Sequence, residues 1–300
     1  MRKSIIPTLA FFLMLQGCND SKESSSCTPS NENGSKAIIT NELKSFAQNM
    51  VGETDSLLNK GFSISTQDNS EENNEKSYQK TTVNSCESGG TKSFIDNNNL
   101  EGLSQAEIQE SIKKGIGFDM VLDDCIENNV KSDGTISIEM KNEEHFTILV
   151  TFKERTKIED LESSEKLTFL KDSTFKSIEI SDEQEKLVEN MTLKSTLNGT
   201  YTSIELISYE NELEDGGYST YKVSGQINHN ATKYKVDEKY DGSKTPMVEN
   251  ENGDLLSGTE KYYNEKNEHV TLTVLSKNKF KISLDKDNDG VDDAEEILSF

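Results

Sequence analysis

The chain has 300 residues, with 32 Lys and Arg against 55 Asp and Glu and a formal net charge of -23. That balance excludes a nucleic-acid partner, which needs clustered Lys and Arg on its phosphates, and leaves divalent cations as the charged partner of interest. Hydrophobic content is only 32%, yet Ile, Leu, Val, Phe and Tyr alternate through the second half. This argues against wholesale disorder and for a substantial core.

Met1 to Gly17 begins with Arg2 and Lys3, runs through apolar Ile5 to Leu15, and ends Leu15-Gln16-Gly17-Cys18. The apolar run is too short for a membrane-spanning helix and has the form of a cleaved signal peptide. Leu15, Gly17 and Cys18 resemble the lipobox of bacterial lipoproteins, with Gln16 a mild departure. That resemblance implies a thioether-linked diacylglycerol on Cys18, which becomes the mature N-terminus, acylated on its amine. The implied location is the bacterial cell envelope, at the outer membrane or facing the periplasm, with the membrane itself as partner through the Cys18 anchor. Residues 18–36 are rich in Ser, Asn, Glu and Lys and read as a flexible tether; residues 37–300 read as a single β-rich domain.

Ile39, Leu43, Phe46, Met50, Leu57 and Leu58 recur near helical spacing, with Asn41 as an early cap, and predict a helix packed on a sheet. Gln67 to Lys76 reads as an exposed loop. Thr81 to Phe94 predicts strand, glycine turn and strand around Cys86-Glu87-Ser88-Gly89-Gly90. A second helix carries full punctuation: Ser104 as N-cap, Glu107 three residues on, Leu103 and Ile108 as a staple, Gly115 as the stop. Phe118 to Leu122 returns to strand. After an Asp133-Gly134 turn the period is two. The candidate strands carry Ile136 to Met140, Phe146 to Phe152, Leu167 and Phe169, Ile178 and Ile180, Met191 and Leu193, and Ile204 and Leu206. They continue with Tyr221 and Val223, Tyr234 and Val236, Val270 to Val274 and Phe280 to Leu284. Turn pairs at Asn198-Gly199, Gly216-Gly217, Asp241-Gly242 and Asn252-Gly253 separate many of them. Ser181 to Glu189 reads as a charged loop or short helix, and Thr245-Pro246 as another break. The expected fold is mainly β (α+β): a large antiparallel meander, curled like a half-barrel around one or two packed helices.

Of the four cysteines, Cys86 and Cys125 sit at strand and turn junctions inside the domain and are the expected disulfide, with Cys27 in the tether. The segment from Thr82 to Ile138, with Cys86-Glu-Ser-Gly89-Gly90, Asp124-Cys125 and Asp133-Gly134-Thr, resembles uncharacterised exported bacterial β-proteins, a resemblance that implies no activity.

The one chemically specific motif is Asp285-Lys-Asp287-Asn-Asp289-Gly290-Val291-Asp-Asp293-Ala-Glu-Glu296, which fits Asp-x-Asp-x-Asp-Gly-x5-Glu. Alternate oxygens can converge on a hard cation, and the glycine permits the sharp turn. The run resembles EF-hand loops and, more closely, thrombospondin type-3 repeats, because a strand-like segment precedes it and Asp293 stands at position nine. The expected calcium ligands are Asp285, Asp287, Asp289, the Val291 carbonyl, Asp293 and Glu296, with calcium in a structural role. His145, His229 and His269 are isolated from one another and from any zinc or nucleophile motif. The expected function is thus a non-catalytic, calcium-stabilised lipoprotein with a structural or binding role; the alternative is a carrier of an apolar ligand in a half-barrel pocket.

Overall fold

A computed structural model describes residues 38–51, 81–98, 103–162, 164–197, 199–237, 239–250, 254–277 and 279–299. The lipobox with Cys18, the tether with Cys27, Leu57 and Leu58, the Gln67 to Lys76 loop, Asn252-Gly253 and Phe300 lie outside the described residues. Among the described residues seventeen strands form one antiparallel sheet. In chain order they are β1 (Thr81–Ser85), β2 (Thr91–Asp96), β3 (Ile116–Glu127), β4 (Val130–Asn142), β5 (Phe146–Phe152) and β6 (Thr156–Asp160). Then come β7 (Lys166–Phe169), β8 (Thr174–Ser181), β9 (Gln184–Ser195), β10 (Gly199–Glu212), β11 (Tyr218–His229) and β12 (Thr232–Val236). The last are β13 (Met247–Glu249), β14 (Leu255–Asn264), β15 (His269–Ser276), β16 (Lys279–Asp285) and β17 (Ala294–Ser299). Among the described residues two α-helices accompany them, α1 (Asn41–Val51) and α2 (Gln105–Lys114).

The pairing is a meander that divides twice. β4 pairs with β6 over Val130–Asp133 and with β5 over Ile136–Asn142. The branches continue as β6 with β7 and β5 with β8, and both rejoin on β9. In the same way β11 pairs with β13 at one end and β12 at the other, and both meet β14. A glycine marks each division, because a long strand must bend where it changes partner. Gly134 has φ +138, and a Cβ there would stand 2.7 Å from the Thr156 Cα; Gly225 has φ +121, and its Cβ would stand 2.5 Å from the Glu205 carbonyl oxygen.

This corrects the Asp133-Gly134 turn: Gly134 lies inside β4, and the reversal comes earlier at Asn128 and Asn129, with φ of 50° and 63°. Asparagine tolerates that left-handed conformation, so the pair closes the hairpin without glycine. Ser181 to Glu189 likewise is neither loop nor helix. β9 begins at Gln184 after a tight turn at Asp182 and Glu183, since Leu187 and Glu189 both point inward and are buried. The α1 cap is Thr40, not Asn41, its hydroxyl accepting from the Leu43 amide at 3.2 Å. The α2 capping box of Ser104 and Glu107 and the stop at Gly115 form as expected, and Cys86 and Cys125 are joined by a disulfide with Cα atoms 5.5 Å apart.

Curvature follows from what α1 touches. Met50 meets Phe175 of β8 around one small cavity, while Lys44 pairs with Glu296 of β17 at 2.6 Å. Those strands are eight ladder steps apart, roughly 38 Å in a flat sheet at about 4.8 Å per step. Lys44 and Met50 are only about 9 Å apart along the helix axis at 1.5 Å per residue. The sheet therefore curls around the helix, as the half-barrel expectation required. Phe46 and Ala47 are fully buried. Phe46 stacks on Tyr234 at 3.8 Å and meets Tyr262 edge-on at 5.3 Å.

Replacing Phe46 by Ala leaves a cavity between three strands and should cost about 3–5 kcal/mol. Urea unfolding monitored by circular dichroism will show it as a lower midpoint, whereas Val83→Ala, at a side chain 62% exposed, should shift it little.

Candidate metal centre and a buried acidic interior

The aspartate run forms the hairpin between β16 and β17. β16 ends at Asp285, which is buried; its Oδ1 accepts from the Asp289 amide at 3.2 Å and its Oδ2 from the Gly290 amide at 2.9 Å. Asp289 Oδ1 accepts from the Val291 amide at 2.8 Å, and Asp293 Oδ2 from the Lys286 amide at 2.7 Å. Asn288 and Gly290 take positive φ of 60° and 88°, which wind the loop tightly enough for alternate aspartates to converge. One oxygen each of Asp285, Asp287 and Asp289 lie within 4.8 Å of one another. Three like charges held so close favour a cation between them.

The remaining expected ligands are placed differently. Glu296 stands in β17 opposite Ile282, three residues along from Asp285 and so about 10 Å away at strand spacing. Its carboxylate pairs with Lys44 of α1. Asp293 is spent on the Lys286 amide, and the Val291 side chain is exposed. A strand, where an EF-hand would place its exiting helix, carries Glu296 away from the loop. The aspartate triplet is thus the part of the motif the structure brings together, a partial shell for a hard cation that water or further loop oxygens must complete. Cys86, Cys125 and Glu127 also cluster, but both sulfurs are committed to the disulfide.

A second concentration of acid lies inside the curled sheet. Among the described residues, buried charged side chains are Lys92, Asp96, Glu165, Glu189, Glu210, Glu249, Glu260 and Asp285, and the one base, Lys92, is paired with Glu127 at 2.8 Å. Glu189 of β9 accepts from the Tyr201 hydroxyl at 3.0 Å, and Glu260 of β14 accepts from Tyr262 through Oε2. The Oε1 of Glu260 is buried with no hydrogen-bond partner. Burial pushes both carboxyls up to about 7, the first against hydrogen bonds from Ser203 and Tyr201, the second against one from Tyr262. Burial, with the neighbouring glutamate, drives the Tyr201 and Tyr262 hydroxyls well above the usual tyrosine range. Nearer one rim, Glu179, Glu185 and Glu210 face one another across β8, β9 and β10. Burial and then Glu179 raise Glu185 to about 7.

Two cavities border α1. One of about 10 Å³ lies under its last turn, with Glu189, Ser208 and Glu260 as its polar lining and Met50, Phe175 and Val223 among the apolar. The other, of about 420 Å³, opens beside the first turn; Leu43, Val270 and Leu284 are among its apolar walls and Lys266, Lys286 and Glu268 among its polar ones. Of the three histidines, His229 is fully buried beneath Phe46, and burial lowers its ring to about 4.

The buried glutamates escaped sequence reasoning because acids are common along this chain. Their signal was parity: Glu189 falls in step with Leu187, Met191 and Leu193, and Glu260 with Tyr262, all buried. No helix among the described residues is long and apolar enough to cross a membrane. Comparison with protein-family models, curated proteins and solved structures gave no match.

The buried acids set a pH dependence. A carboxyl raised from 4.5 to about 7 contributes stability that is full below about 4.5 and is lost as pH rises through 7, on the order of 2–4 kcal/mol for each of Glu189 and Glu260. His229, lowered from 6.5 to about 4, acts oppositely, losing its contribution as pH falls below 6.5, and offsets roughly one glutamate there. The melting temperature should therefore rise on acidification from pH 8 to 5.5. Glu189→Gln and Glu260→Gln should each raise stability at pH 8 and flatten that slope, as thermal melts across the range will show.

Proposed function

We propose that the protein is a lipid-anchored lipoprotein of the bacterial cell envelope with a non-catalytic, structural or binding role, its last hairpin clasped by calcium. The observation that carries the reading is the convergence of Asp285, Asp287 and Asp289 within 4.8 Å on the loop joining the last two strands. Calcium there would neutralise the repulsion that strains the loop and fix β17 in register, and β17 in turn holds α1 through Glu296 and Lys44. Asp285, Asp287 and Asp289 are the ligands, with Asp293 close by through its bond to Lys286. The lipobox-like end Leu15-Gln16-Gly17-Cys18 supports the anchor.

A second reading, a carrier of an apolar ligand, is favoured by the cavity of about 420 Å³ beside α1, within the range of small-molecule sites. In that reading the ligand enters at the end of the curled sheet, because α1 fills the middle. Lipid that co-purifies with the protein and contacts Leu43 and Val270 supports it.

Two measurements test the main reading. Extracellular calcium modules bind at roughly 0.1–1 mM, so about 10 mM calcium should add on the order of 1–3 kcal/mol, a rise of about 3–8 °C in melting temperature relative to chelator. Asp287→Asn with Asp289→Asn should abolish the difference, and identical melts of the unaltered protein would end the calcium proposal. Cys18→Ser should move the protein from the membrane to the soluble fraction after cell lysis; continued membrane retention would contradict the anchor.

A further inference from the structure

The cavity of about 420 Å³ beside the first turn of α1 is polarised from floor to rim. Leu43 of α1, Tyr234 of β12, Val270 of β15 and Leu284 of β16 line it, and each is at most 8% exposed. The rim is open to solvent: Ile38 is 75% exposed, and Glu42, Glu265, Lys266 and Lys286 are exposed as well. Register explains the gradient. The β11–β12 turn, the β14–β15 turn and the start of the last hairpin lie at one end of the sheet, since Tyr234 stands opposite Asn264 and His269 stands between Tyr263 and Asp285. Turns face water and carry polar side chains, whereas the strand residues behind them alternate into the core.

The charges around the rim are not equivalent. Glu42 accepts from the Thr232 hydroxyl at 2.6 Å, Glu268 from the Asn264 side chain at 2.7 Å, and Glu265 pairs with Lys233 at 3.4 Å. Lys266 and Lys286 donate through their backbone amides, and among the described residues their ammonium groups form no ion pair. With Lys233 counted, three acids stand beside three bases, so the rim does not repel an anion although the whole chain carries -23.

We propose that this cavity binds a single-chain amphiphile with an anionic head, its alkyl stem on the floor of Leu43, Tyr234, Val270 and Leu284 and its head at Lys266 and Lys286. The proposal rests on the carrier role of the same cavity and adds the class of head group. An ammonium group offers three N–H donors and no acceptor, so an anionic head gains two charge-assisted partners. A cationic head would meet carboxylates that already have donors, and an alcohol would leave both ammonium groups to water. Lysine stems lie along apolar surface while their heads stay wet, so the head is held at the rim without being buried. The volume stands near the low end of small-molecule sites, which suits one chain of medium length better than a two-chain lipid. A metal ion is poorly served, because Glu42, Glu265 and Glu268 do not converge as the hairpin aspartates do.

The experiment is calorimetric titration of the Cys18→Ser protein, taken from the soluble fraction so that no detergent competes for the cavity, at pH 7.5 with chelator present to prevent calcium carboxylates. The probes are octanoate, octyl phosphate, octanol and octylammonium, all below the concentrations at which they form micelles. Expected is saturable binding of the two anions with dissociation constants of about 1 mM or tighter, and weaker binding of octanol and octylammonium. The tighter anion tells a fatty carboxylate from a phosphorylated lipid. Lys266→Gln with Lys286→Gln should weaken both anions roughly three- to tenfold, as two exposed ion pairs would, and leave octanol unchanged. Lys113→Gln with Lys114→Gln, which removes the same charge from the exposed face of α2, should alter nothing. Ala231→Trp, at an exposed residue that lines the cavity, should block every probe, with thermal melts of all variants checking that they are folded. Octanol or octylammonium binding as tightly as the anions, or anion binding unchanged in the Lys266 and Lys286 variant, would overturn the anionic head and leave the carrier role standing. Absence of binding by every probe, or binding indifferent to Ala231→Trp, would overturn both.

Discussion

Everything in this fold leans on one aromatic contact. Phe46 is fully buried, stacked on Tyr234 of β12, edge-on to Tyr262 of β14 and close to His229 of β11. A single short helix supplies the cover that a flat sheet would obtain from a second layer, so the sheet must come to the helix. Burying an aromatic side chain against three strands at once contributes on the order of 2–3 kcal/mol from area alone, and edge-on and stacked pairs add about 0.5–1.5 kcal/mol each. A flat sheet would leave most of that unrealised. Curling in turn brings β8 and β17 within reach of the same eleven-residue helix.

The two divisions of the ladder let so long a meander curl. β11 and β4, strands of twelve and thirteen residues, each pass one end to each of two shorter strands. The bends fall where a side chain has no room: a Cβ on Gly134 would strike Thr156, and one on Gly225 would strike the Glu205 backbone. At Gly90 the same constraint serves the disulfide. A Cβ there would lie 2.1 Å from the Asp124 carbonyl oxygen, and this close approach sets the Cys86 turn against the β3 bulge that carries Cys125.

Much of this architecture was legible because alternation is a local signal. Phe146 to Phe152, Val270 to Val274 and Phe280 to Leu284 each became a strand, and Ser104 with Glu107 formed its capping box. What escaped was decided at a distance. β6, β13 and β17 are short, and their pairing depends on β4, β11 and β16 turning toward them. Gly134 looked like a turn because glycine after aspartate usually is one; here it bends a continuous strand. The aspartate motif was legible as far as its first three acids. Glu296 stands apart from those three because a strand follows the loop, with Ile297 and Leu298 opposite Lys281 and Phe280. The acids of the interior were hidden by their abundance, since alternation alone does not tell which face a curled sheet turns inward.

Acid, finally, is used in two physically different ways in one sheet. On the hairpin, backbone amides hold Asp285 and Asp289, and Asp287 and Asp289 are exposed, so water screens most of their charge. Inside the sheet, Glu189 and Glu260 have tyrosine donors and apolar walls, so the cost of charge falls on the fold itself unless a proton takes it up. α1 touches both, pairing Lys44 with Glu296 of β17 and lining the interior cavity with Met50.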